Sequence, residues 1–285
     1  MTARPEALSI CFVTAMYRNA DCVRAFVAHL RSLPGAREVA LHMIVANNGG
    51  EPAPEIPGAV VFDPGRNLGY VPGCAWALAR WLELGHRMPE WICVSNTDLL
   101  LNDDFFLELS RVAIPEDAGV VAPDVRLGSG ARQNPILWRR PARAMMFAYA
   151  ALSRLALFMP IFEMSIHLRH KLRRAWAPRA PALVDAGQPP ASSAAEAIYA
   201  AHGSIFLVHR RFFERGGALH YRGTMYGEEI HIAEQARRAG LRVLWLKSLG
   251  AEHQGHATTH AVSPLQRRQW YAESAGVLWS DYFDR

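Results

Sequence analysis

Cysteine is scarce in this sequence, and its spacing is not typical of a metal site. The 285 residues contain four cysteines and no C-x-x-C pair, so the usual spacing of paired cysteine ligands is absent. Each cysteine lies in an apolar or helical stretch, where a small thiol packs well. We therefore expect reduced thiols in the core at Cys11, Cys22, Cys74 and Cys93.

Long apolar runs are also missing. The amino terminus, M-T-A-R-P-E, lacks the charged start and apolar run of a secretory signal. The most apolar segment, 144–159, contains Arg154 and precedes Pro160, so the run of about 16 residues is short for a membrane span. We expect a cytoplasmic protein.

Two glycine-rich nucleotide motifs do not occur. No G-x-G-x-x-G follows a predicted strand, which disfavours a dehydrogenase. Residues 14–22 contain no Gly-rich, Lys-bearing loop for a triphosphate, so a nucleotidyltransferase is only a third possibility.

The positive charge is local. The net charge is +5 and the pI is about 9.2, and nine Lys or Arg lie between 139 and 179 against one acid, Glu163. Residues 144–176 therefore fit helices on an anionic membrane surface, or equally a helical hairpin packed on the core or on another subunit. Nucleic acid is not an expected partner, because no aromatic-basic recognition motif accompanies the charge.

Apolar periodicity predicts an α/β fold of mostly parallel strands with helices on both faces. The predicted strands are 8–16, 39–46, 59–62, 91–95, 204–208 and 241–246, and the predicted helices are 20–33, 71–84 and 228–239. We divide the chain into 1–138, a basic and apolar insertion at 139–197, and 198–285 with a C-terminal helix, all in one continuous domain.

Polar motifs follow several of these strands. In such sheets, ligands bind beyond the carboxyl ends of the strands. The loops 14–19, 47–50, 63–69 and 95–104 therefore contain the candidate binding residues, within T-A-M-Y-R-N, N-N-G-G, D-P-G-R-N-L-G and S-N-T-D.

Further motifs complete a recognisable series. In order, it comprises N-N-G-G at 47–50, R-N-L-G-Y-V-P-G at 66–73, S-N-T-D at 95–98, Y-G-E-E at 226–229 and E-H-Q-G-H at 252–256. With them the sequence resembles family 2 glycosyltransferases of the GT-A fold, particularly the rhamnosyltransferase-like branch. The resemblance implies a nucleotide-diphospho-sugar donor, dTDP-rhamnose by analogy, and a bacterial surface glycan or lipid-linked acceptor.

The donor is expected to contact the strand ends and the glycine turn. Glycines there allow positive φ and close approach to the ligand, and Arg66 is suited to a phosphate. The expected donor-binding residues are Thr14, Tyr17, Asn47, Asn48, Arg66, Asn67, Gly69, Gly73, Asn96, Thr97 and Asp98.

A divalent metal would neutralise the diphosphate. Mg²⁺ or Mn²⁺ binds hard oxygen ligands and phosphates together. Asp98 is the expected carboxylate ligand, and by resemblance His253 is the second protein ligand. Asp98 could instead cap a turn, and His253 could be structural or pair with His256 at a zinc site, although no third ligand at suitable spacing supports that.

The acceptor hydroxyl needs a base when it attacks the anomeric carbon. By resemblance Glu229 fills this role beside Glu228, and direct displacement would invert the anomeric configuration. Glu229 could instead serve only as a carboxylate that stabilises the start of a helix.

Some positions depart from the family. Asn47 and Glu229 stand where aspartates are usual, His231 replaces a frequent acid, and the usual asparagine near Cys74 is missing. These differences favour an unusual substrate or lost activity, so a non-catalytic nucleotide-sugar-binding or scaffold protein is the alternative. A homo-oligomer is allowed.

Overall fold

The fold is built on one nine-stranded sheet. We describe it from a computed structural model that covers residues 8–50, 52–155, 195–255 and 263–284. The strands are β1 (Ser9–Met16), β2 (Ala40–Asn47), β3 (Val60–Phe62), β4 (Trp91–Ser95), β5 (Leu99–Leu101), β6 (Ala118–Leu127), β7 (Ala195–Ile198), β8 (Ile205–His209) and β9 (Arg242–His253).

Seven α-helices surround the sheet in the described ranges. They are α1 (Ala20–Ser32), α2 (Tyr70–Glu83), α3 (Phe105–Arg111), α4 (Arg143–Leu152), α5 (Arg210–Glu214), α6 (Glu228–Arg238) and α7 (Pro264–Leu278). A π-helical turn, Trp279–Phe283, follows α7.

The predicted α/β class is confirmed, and the sheet is mixed. Its order is β3-β2-β1-β4-β8-β6-β9-β5, with β7 paired to β9. The neighbours β3, β2, β1 and β4 are parallel, as expected, whereas β8 runs antiparallel to both β4 and β6. Strand β8 starts beside the end of β4: Ser95 pairs with Ile205, and the Asn96 N–H donates to the Ser204 carbonyl at 2.7 Å.

The predicted strands and helices agree with the structure to within one residue, with one exception. The strand predicted at 241–246 continues to His253. Its register against β6 shifts between Pro123 and Asp124, which partner Leu246 and Gly250. The bulge explains why the sequence pattern did not predict the second half of β9, because the alternation of apolar residues is interrupted at such an irregularity.

Apolar side chains pack on both faces of the sheet. Along β1, Ile10 and Phe12 belong to one cluster, whereas Cys11 and Val13 belong to the other. This division follows from the two-residue period of a strand. The first cluster packs on α1 and α3, and the second on α2, α6 and α7. Burial on both faces explains why the central strands read as continuous apolar runs.

One expected core thiol is on the surface. Cys11, Cys74 and Cys93 are buried, but Cys22 is exposed. Helix α1 buries Val23 and Phe26 on its inner face, and successive helical residues point about 100° apart. The expectation of a core position for Cys22 was therefore wrong. Cys22 precedes the buried Val23 in sequence but does not lie on the buried face of α1.

The insertion is described only in part. Helix α4 covers Arg143–Leu152, so most of the predicted interfacial segment, 156–176, lies outside the described residues, as does His256. Within the described ranges, no helix has the length and apolarity needed to cross a bilayer. The division of the chain into 1–138, 139–197 and 198–285 stays a prediction.

The Gly69→Ala variant should be strongly destabilised. Gly69 has φ of +88°, and an added Cβ would overlap the Thr224 carbonyl oxygen. Because neither backbone can move without separating the two loops, we expect a loss of about 2–4 kcal/mol in the free energy of unfolding, measured in urea. Gly65→Ala is the matched control: φ is +69° but nothing lies within 4 Å, so about 1 kcal/mol is expected. Equal losses would contradict the contact with Thr224.

Candidate active site

The predicted binding loops meet at one edge of the sheet. Parallel register places Met16 beside Asn47 and Val13 beside Val94. The chain therefore leaves β1, β2 and β4 on the same side of the molecule, as the alternating pattern predicted.

Asp98 and His253 come together there. Strand β5 begins immediately after Asp98 and pairs antiparallel with the end of β9, with Leu99 opposite His253. The Gln254 N–H donates to the Asp98 carbonyl at 2.9 Å. As a result the His253 Nε2 lies 3.2 Å from Asp98 Oδ1, and both side chains are largely buried.

This pair fits a shared divalent cation. The His253 Nε2 is buried and has no hydrogen-bond partner among the described residues, although it lies close to the Asp98 carboxylate. Two ligands at right angles, each about 2.1–2.2 Å from one cation, would lie roughly 3 Å apart. No group of three or more His, Cys, Asp or Glu that could hold a metal occurs in the described ranges, so remaining ligands would come from phosphate and water.

The other residues of the S-N-T-D motif are tied to neighbouring loops. The Asn96 backbone binds Ser204, as described above. The Thr97 hydroxyl accepts from the Asn19 side-chain amide at 3.4 Å. The motif is half-buried, so its side chains are held at the edge of the site. Donor binding by Asn96 and Thr97 stays a prediction.

The ends of β1 and β2 supply buried polar groups. The Thr14 hydroxyl is buried without a hydrogen-bond partner in the described residues, whereas Tyr17 is exposed. The Asn47 side chain is buried and its amide donates to Asp63 Oδ2 at 3.4 Å. Asp63, at the end of β3, was not among the predicted residues, and it places a carboxylate beside the neutral Asn47.

The glycine turn is supported from beneath by Asn48. Its amide nitrogen donates to the Gly69 carbonyl at 2.7 Å, and its oxygen accepts from the Leu68 N–H at 3.3 Å. A Cβ at Gly73 would lie only 3.1 Å from the Asn48 amide nitrogen. Both polar ends of Asn48 are thus used to shape the turn; its direct contact with a donor stays a prediction.

Above this support, the turn presents polar groups to solvent. Arg66 and Asn67 are exposed. The Asn67 side chain accepts from the Gly69 N–H at 2.9 Å, which sets the course of the chain into α2. The Arg66 guanidinium is accessible from solvent, and its contact with a phosphate stays a prediction.

Glu228 and Glu229 form the first turn of α6. The preceding Gly227 is left-handed; the Glu228 side chain is buried and Glu229 is partly buried. Burial, then the charge of Glu229, raises the pKa of Glu228 to about 8. Burial also raises the pKa of Glu229, opposed by nearby backbone N–H groups that include those of Gly203 and Gly227. Two adjacent buried carboxyls cannot both ionise readily, and the N–H groups favour the charge on Glu229.

A short segment, 202–204, links the two glutamates to the Asp98–His253 pair. A Cβ at Gly203 would meet Glu229 Oε1 at 2.9 Å, while Ser204 accepts from the Asn96 backbone. The ring centroids of His202 and His253 are 6.3 Å apart. Sequence reasoning missed this segment; its only local signal was a glycine just before a predicted strand.

Tyrosines surround the carboxyls. The Tyr70 hydroxyl is buried without a partner in the described residues. Its pKa is raised well above the usual value, first by burial and further by charges that include Glu228 and Asp98. Both acids therefore act on the same hydroxyl. Tyr226, just before Gly227, has φ of +67° and stacks on Tyr271 with a centroid distance of 4.0 Å.

His231 packs α6 against the end of the chain. Its Nδ1 lies 2.6 Å from the Tyr282 hydroxyl, and its Nε2 lies 3.2 Å from the Ala218 carbonyl. Burial lowers the pKa of His231 to about 4. A neutral histidine with both nitrogens in contact fits this structural position.

Comparisons with known proteins define the class of fold. No family model and no curated protein sequence matches the chain. Among solved structures, it is similar to GalNAc-T7 with UDP, GalNAc and Mn²⁺, with a TM-score of 0.54 and 10% identity over 98% of this chain and 49% of that chain. The chain has a GT-A glycosyltransferase fold, and it spans about half the length of GalNAc-T7.

Two further solved structures are similar at lower TM-scores. A mycobacterial protein gives 0.46, with 15% identity over 96% of this chain and 74% of that chain. The catalytic domain of Drosophila beta1,4-galactosyltransferase 7 with xylobiose gives 0.43, with 13% identity over 93% and 79%.

The pH dependence of stability should reveal the proton on Glu228. The pKa of Glu228 rises from 4.5 to about 8 on folding, so its stabilising contribution is complete below pH 4.5 and is lost as the pH rises to about 8. Glu228→Gln cannot ionise, so the variant should gain stability relative to the parent over that range, by roughly 1–3 kcal/mol at pH 8 in urea unfolding.

The exposed Glu214→Gln serves as the control, with a difference from the parent that does not change with pH. If the Glu228→Gln difference were also constant from pH 4.5 to 8, the assignment of a proton to folded Glu228 would be wrong.

Proposed function

We propose that this chain is an inverting, divalent-metal-dependent glycosyltransferase that transfers a sugar from a nucleotide-diphospho-sugar to a hydroxyl group. The observation that carries the proposal is the Asp98–His253 pair, 3.2 Å apart at the binding edge of a GT-A sheet. The Glu228–Glu229 pair is joined to it through residues 202–204. A metal ligand pair and a buried base at one edge are what this reaction requires.

The donor would lie across the strand ends. Asn47 and Thr14 offer buried polar atoms for the nucleoside, and Arg66 offers an exposed guanidinium for the phosphates. Asp98 and His253 would hold Mg²⁺ or Mn²⁺, which neutralises the charge that grows on the leaving diphosphate. GalNAc-T7, similar in fold, was crystallised with UDP and Mn²⁺, which supports this ligand class.

Glu229 is the proposed base. The acceptor oxygen bonds to the anomeric carbon as the bond from that carbon to the diphosphate oxygen breaks, and the acceptor proton passes to Glu229. Attack from the opposite face inverts the configuration. Glu228, with a pKa raised to about 8, retains its proton near neutral pH and so leaves the single negative charge to its neighbour.

The finer assignment follows the family 2 resemblance. We propose dTDP-rhamnose as the donor and a bacterial surface glycan or lipid-linked glycan as the acceptor. Thermal shifts with nucleotide diphosphates, with and without Mn²⁺, identify the nucleobase of the donor, because a ligand that binds only the folded state raises the unfolding temperature. A larger shift with UDP than with dTDP would contradict the rhamnose assignment.

Two variants separate donor binding from chemistry. Asp98→Ala should weaken Mn²⁺-dependent binding of the nucleotide diphosphate by about tenfold or more. Glu229→Gln should leave that binding intact and lower kcat by about 10²–10⁴-fold, because only proton transfer is lost. Calorimetry and a sugar-transfer assay measure the two effects.

Asp103→Ala removes a nearby exposed carboxylate and is expected to change neither quantity. Normal turnover in both Asp98→Ala and Glu229→Gln would refute the assignments. Nucleotide-sugar binding by the parent without any transfer would favour the non-catalytic binding or scaffold protein.

A membrane-linked acceptor is supported by exposed apolar residues on α4 and in the turn that follows it. Met145 and Leu155 are 53% and 55% exposed, and the positively charged Arg139 and Arg154 lie on either side of the helix in sequence. Apolar side chains beside basic ones favour an anionic bilayer surface. Burial, and after it charges that include Glu229, raises the pKa of Tyr149 on the same helix, so an acceptor docked on α4 would approach the site from the side of the proposed base.

The double variant Met145→Glu/Leu155→Glu should therefore bind anionic liposomes at least about tenfold more weakly in flotation assays. Leu265→Glu is the matched control, because Leu265 is an equally exposed apolar residue (60%) on a different helix, α7. Unchanged liposome binding by the double variant would refute membrane docking through α4 and favour contact with the core or with another subunit.

A further inference from the structure

Gln133 contacts Nδ1 of the His253 ring, the nitrogen that does not face Asp98. The Gln133 side-chain oxygen lies 2.8 Å from His253 Nδ1, although the two residues are 120 positions apart. With the amide oxygen facing the ring, this contact pairs with a proton on Nδ1, because an amide oxygen accepts and does not donate. In a neutral imidazole the lone pair is then on Nε2.

The geometry at Nε2 does not suit an N–H donated to Asp98. Nε2 is buried and forms no hydrogen bond in the described residues, yet it lies 3.2 Å from the carboxylate oxygen of Asp98. A lone pair beside a carboxylate is repulsive by itself. A cation bound by both the Nε2 lone pair and the carboxylate oxygen would remove the repulsion. Metal-bound histidines commonly donate their second N–H to an oxygen in this manner.

The position of Gln133 is held by its backbone and its neighbour. The Gln133 N–H donates to the Val125 carbonyl on β6 at 2.9 Å. The next residue, Asn134, is buried; its amide donates to the Pro123 carbonyl at 2.7 Å and its oxygen accepts from the His202 N–H at 2.6 Å. The chain around Gln133 is therefore anchored both to the sheet and to the 202–204 segment.

We propose that Gln133 is a positioning residue that holds His253 as its Nδ1–H tautomer and so directs the Nε2 lone pair to a divalent cation shared with Asp98. The inference rests on the proposed function for the identity of the ligand, but the tautomer is a property of the protein without metal. Nothing in the local sequence around Gln133 indicates this role.

The tautomer is tested directly in the metal-free protein. Long-range ¹H–¹⁵N spectra of histidine-labelled protein at pH 8 should show protonated Nδ1 and unprotonated Nε2 at His253, assigned with His253→Gln. Gln133→Leu should lose this preference, and Gln133→Glu should keep it, because a carboxylate also accepts from Nδ1. A protonated Nε2 in the parent protein would overturn the proposal, since Gln133 would then act as donor and His253 would simply bind Asp98.

Metal affinity is the second measurement. Titration of Mn²⁺ followed by electron paramagnetic resonance, in the presence of the nucleotide diphosphate selected by thermal shift, should show about 10–100-fold weaker binding for Gln133→Leu and near-parental binding for Gln133→Glu. The exposed Gln269→Leu on α7 is the matched control and should not change the affinity.

The outcomes separate the two proposals. If Gln133→Leu binds Mn²⁺ like the parent while Asp98→Ala does not, the role of Gln133 is refuted and the glycosyltransferase proposal stands. If the parent binds Mn²⁺ in a Gln133-dependent way but transfers no sugar, the inference stands and the proposed activity fails. Absence of Mn²⁺ binding in the parent refutes both the cation site and the role of Gln133.

Discussion

The pairing of β5 with the end of β9 holds Asp98 beside His253, and much of the candidate site is arranged around this contact. Strand β5 has only three residues and lies at the edge of the sheet, so it gains little from its own hydrogen bonds. It is stabilised by burial of Leu99 and Leu101 in the same apolar cluster as Phe105 and Phe106. The site therefore depends on apolar packing one layer below it.

A second constraint is the buried pair of carboxyls at the start of α6. Two adjacent acids in a low-dielectric environment repel each other. Burial and the charge of Glu229 raise the pKa of Glu228 to about 8, whereas backbone N–H groups favour the charged form of Glu229. Gly203 makes this possible, because any side chain there would collide with Glu229. The chain at Gly203 thus contacts the proposed base, Glu229, and continues directly into β8.

Elements with a regular apolar pattern were predictable. The bounds of β1, β2, β4 and α2 agree with the pattern to within one residue because each is long or uniformly buried. Strands β6 and β7 and helices α3 and α5 were not predicted at all. Two further omissions have local reasons. β5 is too short to show a period, and the second half of β9 follows a bulge between Leu246 and Gly250. The surface position of Cys22 depended on helix rotation, which residue type alone does not reveal.

Among the site residues, motifs identified Asp98, Glu228 and Glu229, because each follows a recognisable strand or opens a recognisable helix. Sequence could not show that Asn48 supports the glycine turn, or that Asp63 lies beside Asn47, because both contacts join separate loops. Gln133 and His202 carried no motif at all. Their partners lie far along the chain, and only folding brings them within hydrogen-bond distance.

By itself, the sequence determined the α/β class, the edge of the sheet at which ligands would bind, and the chemical types available there, since these follow from local periodicity and residue identity. Tertiary structure alone decided which of those groups meet. The Asp98–His253 contact depends on strand register, the pKa values of the two glutamates depend on burial, and the contact between Gln133 and His253 joins residues 120 positions apart. Each is set by long-range packing, which no local pattern encodes.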